Sequence, residues 1–174
     1  MDQAPTGIRS ATKDVGHITP DGRLTLERID GVRTQEMRPI VTGNGVTTEL
    51  FRKDWGVAAG ELVHMIHVCL LPGAVSAWHM HRAQSDHIVS IAGQLRVVLY
   101  DDREGSPTRG KLDVFNLAAM RPMLLVIPPG IWHGIQARQA EPGVFVNFFD
   151  HAYDHGEPDE WRLPADSEEI PFRF

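Results

Sequence analysis

The strongest constraint on this chain is a short stretch, bracketed by glycines at 73 and 93, that holds two histidines and an aspartate at fixed offsets. His79 and His81 are separated by one residue, and Asp86 follows them. In a β-strand, residues i and i+2 point to the same face, so both imidazoles can be aimed at one point. A second fragment, residues 128–133, adds His133 from a later strand. The pattern indicates a β structure that holds either a metal site or an acid–base site.

Short β-rich runs separated by turn-forming residues predict an all-β fold. The chain has 12 prolines and 16 glycines, which divide it at short intervals. Gly93-Gln94 lies between two apolar runs and is typical of a hairpin turn. No convincing amphipathic helix is found, which favours a sandwich or barrel. We predict strands at residues 47–52, 62–71, 87–92, 95–100, 112–117, 123–127 and 144–149.

The length of 174 residues is enough for one domain with a sizeable core. We divide it into a loosely structured N-terminal segment (1–34), a barrel with N-terminal arm strands (35–150) and a C-terminal tail (151–174). The tail is rich in polar residues but keeps large apolar side chains, which predict that it packs back on the barrel. These side chains are Tyr153, Trp161, Ile170, Phe172 and Phe174.

Charge and hydropathy exclude several classes of partner. The net charge is −6 and no basic run is present, so a nucleic-acid-binding surface is not expected. The chain has neither a secretory signal pattern nor an apolar run of membrane-spanning length, which indicates a cytoplasmic protein that does not contact membranes. Cys69 is the only cysteine, so no intrachain disulfide can form, and its apolar surroundings predict that it is buried.

The offsets between Gly73 and Gly93 resemble the first motif of the cupins, and residues 128–133 resemble the second. This resemblance implies a jelly-roll barrel, the double-stranded β-helix, in which two histidines and a carboxylate converge. Imidazole and carboxylate ligands suit a divalent transition metal. One interpretation is therefore a metal-dependent dioxygenase or decarboxylase acting on a small acid, with the metal held by His79, His81, Asp86 and His133.

Two further segments, residues 93–110 and 127–134, are similar to the dTDP-4-dehydrorhamnose 3,5-epimerase family. The first contains an Asp-x-Arg pair followed by Ser106-Pro107-Thr108, and the second an Ile-Pro-Pro-Gly run ending in His133-Gly134. The similarity covers roughly residues 35 to 165. It implies a homodimeric, cofactor-free isomerase or epimerase acting on a nucleotide-linked, dTDP-type keto-deoxy sugar. In such chemistry a neutral histidine removes a proton next to a keto group.

The family pattern assigns roles to individual residues. His79 aligns with the base and His133 with the pocket histidine, and these two are the catalytic candidates. The substrate-binding candidates are His81, Arg82 and Asn147. The Asp101–Arg103 pair is expected to be structural rather than catalytic.

Four features depart from the family pattern, and the first is Ser76-Ala77-Trp78 in place of an arginine just before the base histidine. Asp86 stands in place of a substrate-holding lysine, Asn147 in place of the proton-donating tyrosine, and Leu163 near the aspartate that orients the base. A metal ion would restore the positive charge that the lysine supplied. Three hypotheses follow, a sugar isomerase or epimerase, a metal-dependent cupin enzyme, and a non-enzymatic small-ligand barrel. The first is preferred because the similarity extends beyond the pocket.

The remaining histidines and the two tryptophans beside the motif histidines carry less weight. Alternation points Trp78 and Trp132 away from the pocket, into a core or interface. His64 and His67 lie on opposite faces of one strand, so at most one of them can face the pocket. Structural or solvated roles are expected for all of the others, namely His64, His67, His87, His151 and His155.

Overall fold

The computed structural model describes residues 16–21, 25, 27–138 and 140–174. Much of the predicted N-terminal segment lies outside these residues, so its loose structure stays a prediction. The described residues form twelve strands and one short 3₁₀ turn, Lys53–Trp55. The strands are β1 Arg33–Glu36, β2 Ile40–Thr42, β3 Gly45–Thr47, β4 His64–Leu70, β5 Val75–Met80, β6 Asp86–Ala92, β7 Gln94–Asp101, β8 Leu112–Ala118, β9 Met123–Ile127, β10 Ile131–Ala137, β11 Gly143–Phe149 and β12 Trp161–Arg162.

Ten of the strands form two five-stranded antiparallel sheets. The first has the order β1-β9-β6-β11-β4, and the second has the order β12-β5-β10-β7-β8. Strands β2 and β3 form a separate hairpin. The chain therefore passes repeatedly between the sheets, which is jelly-roll topology and confirms the predicted all-β barrel.

The main core fills the space between the two sheets. Along β7, Leu95, Val97 and Leu99 are fully buried at alternate positions, which is the period that a one-sided strand requires. They pack with Phe115 and Leu117 of the neighbouring strand β8. Burial of each such side chain contributes about 1.5–3 kcal/mol. This core leaves one end of the barrel free for polar side chains.

Each sheet also has a covered outer face. Residues of the N-terminal arm, including Phe51 and Trp55, pack against the outside of the first sheet. On the second sheet, the fully buried Trp78 packs with Phe172 and Phe174 of the tail. This contact confirms the prediction that the tail folds back on the barrel. Trp132 packs against the same outer cluster, as the alternation predicts.

Two local predictions are wrong. Residues 48–52 form no strand, because this segment lies irregularly across the first sheet and inserts Leu50 and Phe51 into the outer cluster. Cys69 is exposed rather than buried. It lies on β4, which is the last strand of its sheet and pairs with β11 alone among the described strands.

Two turns have clear causes in the sequence. Gly93 joins β6 to β7 at φ 66°, and a Cβ atom there would lie 2.3 Å from the Pro142 carbonyl oxygen. After β7, the buried Asp101 carboxylate accepts hydrogen bonds from the side chains of Arg103, Ser106 and Thr108. The Asp101–Arg103 pair is therefore part of the turn. Within the described residues, no helix has the length and apolar character needed to cross a bilayer.

Candidate active site

A cavity of about 800 Å³ opens between the two sheets at one end of the barrel. Strands β4, β6 and β11 of the first sheet form one wall, and strands β5 and β10 of the second sheet form the other. The tail after β11 runs past the mouth. A space of this size accepts a ligand larger than a single sugar, since ligand pockets span about 300–1,000 Å³.

Strand pairing brings the predicted histidines together. His79 on β5 is the register partner of His133 on β10, and their ring centroids lie 4.3 Å apart. His81 follows the end of β5, with its ring centroid 5.6 Å from that of His133. A shift in register between β5 and β10 lies just before His79. All three predicted histidines line the cavity.

Asp86 is the buried centre of a hydrogen-bonded cluster. Its Oδ2 lies 2.9 Å from Nε2 of His133 and 3.4 Å from Nε2 of His81. Its Oδ1 accepts a hydrogen bond of 3.0 Å from the Asn147 amide. The other nitrogens of both rings also face acceptors, since Nδ1 of His133 donates to the Ile131 carbonyl and Nδ1 of His81 to the Asp159 carbonyl.

The charge of this cluster follows from those partners. Carbonyl and carboxylate oxygens can only accept, so both nitrogens of the His81 ring carry a proton. The charged His81 ring therefore lies directly beside Asp86, the position predicted to lack the lysine charge. His81, Asp86 and His133 together form one hydrogen-bonded cluster at the cavity wall.

The surroundings lower the pKa values of His79 and Asp86 and raise the pKa of His81. Burial, and then the neighbouring His133, lower the pKa of His79 to about 2, so this ring is neutral. Burial by itself would raise the pKa of Asp86, but hydrogen bonds from His133 and His81 hold it well below its usual range. Burial by itself would lower the pKa of His81, but the hydrogen bond and charge of Asp86 and the Asp159 carbonyl raise it to about 9.

The tail supplies residues that the sequence did not identify as part of the site. The Asp159 carboxylate accepts hydrogen bonds from the backbone N–H groups of Arg82, Ala83 and Gln84. Together with its carbonyl contact to His81, this ties the tail to the loop after β5. Tyr153 and His155 also line the cavity, although neither was predicted to belong to the site. The only signal for these positions was the polar and aromatic content of the tail.

The other predicted residues divide between the cavity and the exterior. Asn147 lines the cavity, and its side-chain oxygen accepts a hydrogen bond from the backbone of His87. Arg82 is not in the cavity, since its guanidinium lies 4.2 Å from the ring centroid of Trp161 and it lines a smaller exterior pocket. The predicted substrate-binding role of Arg82 therefore has no support in this cavity. Alternation explains the result, because His79 and His81 face inward and residue 82 does not.

A metal could be held by part of the predicted ligand set. Among the described residues, His81, Asp86 and His133 offer ligand atoms within 4.8 Å of one another. His79 does not belong to this group, so the predicted set of four ligands is not assembled. The three groups that do meet satisfy one another by hydrogen bonds, which a metal would have to displace.

Strand geometry accounts for the positions of three of the remaining histidines. His64 lines the cavity, whereas His67 on the same strand is exposed, as the prediction of opposite faces requires. His87 is fully buried and points away from the cavity, with Nδ1 donating to the Phe148 carbonyl.

Comparison with known proteins places this geometry in context. A family model described as dTDP-4-dehydrorhamnose 3,5-epimerase matches residues 27–171. The probable low-salt glycan biosynthesis epimerase Agl13 of Haloferax volcanii is 35% identical over 142 residues, which are 81% of this chain and 91% of that protein. The spore coat polysaccharide biosynthesis protein SpsL of Bacillus subtilis is 34% identical over 152 residues, covering 84% and 96%.

Solved structures give the same picture. A dTDP sugar isomerase from Desulfovibrio desulfuricans G20 has a TM-score of 0.77 and 31% identity, over 83% of this chain and 90% of that one. ChmJ, a 3'-monoepimerase from Streptomyces bikiniensis solved with dTDP-quinovose, has a TM-score of 0.74, over 83% of this chain and 75% of that one. At 19% identity, the second likeness supports the fold alone.

Proposed function

The chain belongs to the dTDP-4-dehydrorhamnose 3,5-epimerase family, and we propose that it isomerises or epimerises a nucleotide-linked, dTDP-type keto-deoxy sugar. The observation that carries the proposal is a neutral, buried His79 that lines one cavity together with the protonated His81 ring. A base and a positive charge at the same wall are what enolisation of a keto sugar requires.

His79 is assigned as the base. The C–H bond next to the keto group breaks, its proton moves to a ring nitrogen of His79, and the electron pair moves onto the keto oxygen to give an enediolate. Nδ1 of His79 is buried and has no hydrogen-bond partner among the described residues. The ring therefore enters the reaction neutral, and the charge of Asp86 favours its protonated form once the proton has arrived.

The enediolate oxygen is assigned to the protonated His81 ring of the cluster. His81 is protonated at neutral pH because Asp86 and the Asp159 carbonyl raise its pKa to about 9. A protonated imidazole supplies the charge that a lysine would otherwise provide, and the His81 side chain is mostly buried, at 12% exposure. His133, predicted as a catalytic residue, is assigned a positioning role, because it holds Asp86 and packs against His79. Asn147 orients the same carboxylate.

The test uses a dTDP-linked 4-keto-6-deoxyhexose in D₂O, followed by NMR. The wild-type protein is expected to introduce deuterium next to the keto group, and His79→Asn is expected to lower that rate at least about 100-fold. His67→Asn is the matched control, because His67 is exposed and lies on the face of β4 opposite to the cavity-lining His64. Full exchange in the His79 variant would remove His79 as the base, and no exchange in the wild type would reject this substrate class.

The same proposal includes a homodimer. The β2–β3 hairpin stands outside both sheets and exposes Ile40, Val41 and Val46 at 60%, 78% and 64%. An exposed apolar hairpin of this kind is typical of a surface that a second chain covers. Light scattering at micromolar concentration is expected to give twice the 19.4 kDa chain mass, and a monomer mass would contradict the assignment.

A further inference from the structure

Epimerisation needs an acid on the wall opposite the base. A proton removed from one face of the sugar must be replaced on the other face, or the original configuration returns. The position that the family pattern assigns to a tyrosine donor holds Asn147, whose amide is already engaged. Its Nδ2 donates to Asp86, and its Oδ1 accepts from the His87 N–H group. An amide is also far too weak an acid to protonate a sugar carbon near neutral pH, so another side chain has to supply the proton.

His64 occupies the required wall. It lies on β4 of the first sheet, whereas His79 lies on β5 of the second sheet, and both line the cavity between the sheets. Phe149 on β11 is the register partner of both His64 and Asp86, so the three side chains are level across one sheet. Two strand spacings put the backbones of His64 and Asp86 about 10 Å apart along this wall.

The hydrogen bonding of His64 also points to a ligand. Its Nδ1 is buried, and within the described part of the chain it has no hydrogen-bond partner. Its ring contacts Phe149 at a centroid distance of 5.2 Å, which fixes the imidazole against the cavity wall. A buried polar nitrogen without a partner is uncommon and calls for an explanation. A bound substrate would provide the missing contact.

Tyr153 is the competing candidate. It also lines the cavity, but it is on the tail, 45% exposed, with its ring against His155 at the mouth. Apart from His64, the other titratable side chain that the first sheet brings to the cavity is Asp86, which is ionised and bound to two histidines. His64 is therefore the titratable group on that wall that is free to give a proton.

We propose that His64 is a catalytic residue, the acid that returns a proton to the sugar carbon on the face opposite His79. The electron pair of the enediolate re-forms a C–H bond with a proton from the protonated His64 ring. His64 is left neutral and His79 protonated, and exchange with solvent restores both. The inference rests on the proposed function and narrows it, because it makes the chain an epimerase rather than a ketoisomerase.

The experiment separates proton removal from proton return. With a dTDP-linked 4-keto-6-deoxyhexose in D₂O, NMR measures deuterium in the recovered starting sugar and the amount of epimerised product. His64→Gln is expected to keep deuterium exchange within about threefold of the wild type, whereas epimerised product falls at least about 100-fold. His67→Gln on the exposed face of the same strand is the control and is expected to change neither.

Each contrary result has a distinct meaning. Epimerised product at the wild-type rate in His64→Gln overturns the inference and leaves the proposed function intact. Loss confined to Tyr153→Phe assigns the acid to Tyr153 instead, and equal loss of exchange and product in a folded His64 variant makes His64 a binding residue only. If the wild type neither exchanges nor epimerises the sugar, the proposed function fails, and this inference fails with it.

Discussion

Replacing Asp86 with asparagine tests whether this carboxylate creates the positive charge at the cavity wall. The change keeps the shape of the side chain and removes one negative charge that both His81 and His133 contact, at 3.4 and 2.9 Å. Asn147 loses a charged acceptor for its amide. Without the carboxylate, burial lowers the pKa of His81 and only the contacts with Asp159 oppose it.

The magnitude follows from the pKa of His81. Asp86 and the Asp159 carbonyl raise that pKa to about 9, and in the variant it returns to about 6.5 or lower. A fall of this size corresponds to about 3 kcal/mol of lost preference for the charged ring. At about pH 8, the protonated fraction of His81 falls from about nine-tenths to about 3%, so a reaction that needs the charged ring slows about 30-fold. At about pH 6, most of the rate is expected to return.

The assay is the pH dependence of deuterium exchange, with NMR titration of the His81 ring as a readout that needs no substrate. In the Asp86→Asn variant, the alkaline limb of the rate profile and the titration of the His81 ring are both expected to shift to lower pH by the same amount. Asp102→Asn is the matched control, because this exposed carboxylate lies in the β7–β8 turn beside Arg109. An alkaline limb that stays near pH 9 in the Asp86 variant would refute the assignment of the charge to this cluster.

Three further outcomes are expected. First, wild-type activity falls as pH rises through about 9, because His81 loses its proton. The raised pKa of His81 also stabilises the fold, fully below about pH 6.5, and this contribution is lost as pH rises through about 9. Urea unfolding at a series of pH values measures it. Second, Gly134→Ala lowers the free energy of unfolding by about 1–3 kcal/mol. The new Cβ at position 134 would lie 2.5 Å from Ala77 Cβ and 2.7 Å from Phe174 Cζ. Urea denaturation measures the loss, and Gly43→Ala is the control because a Cβ there meets no atom within 4 Å. Third, chelator treatment leaves deuterium exchange unchanged, because the His81, Asp86 and His133 atoms already satisfy one another; a loss restored by one added metal would contradict this.

Most of the barrel could be predicted from the sequence because its strands carry strong local signals. The run at 123–127 and strand β9 coincide, and the strands on either side of Gly93 differ from the prediction by a residue or two. Residues 48–52 were misassigned because their apolar side chains pack over a sheet from an irregular backbone. Periodicity reports that a side chain is buried, and it does not report whether its backbone pairs with a strand.

The site was only partly predictable, for a related reason. The offset of two between His79 and His81 was enough to place both rings on one wall. The contributions of His64 and of the tail depend on which strands face each other across the cavity and on where the chain turns after β11. Those relations join positions far apart in sequence, such as Asp159 and the loop at 82–84. No local pattern encodes them.

The tail has two structural roles. Its Phe172 and Phe174 cover Trp78, and its Asp159 binds His81 earlier in the same continuous segment. Weaker packing of Phe172 and Phe174 on the outer face of the second sheet would therefore let His81 shift in the cavity, without any change to a residue that contacts the sugar. Selection on turnover in such an enzyme would act on its last aromatic residues as strictly as on its histidines.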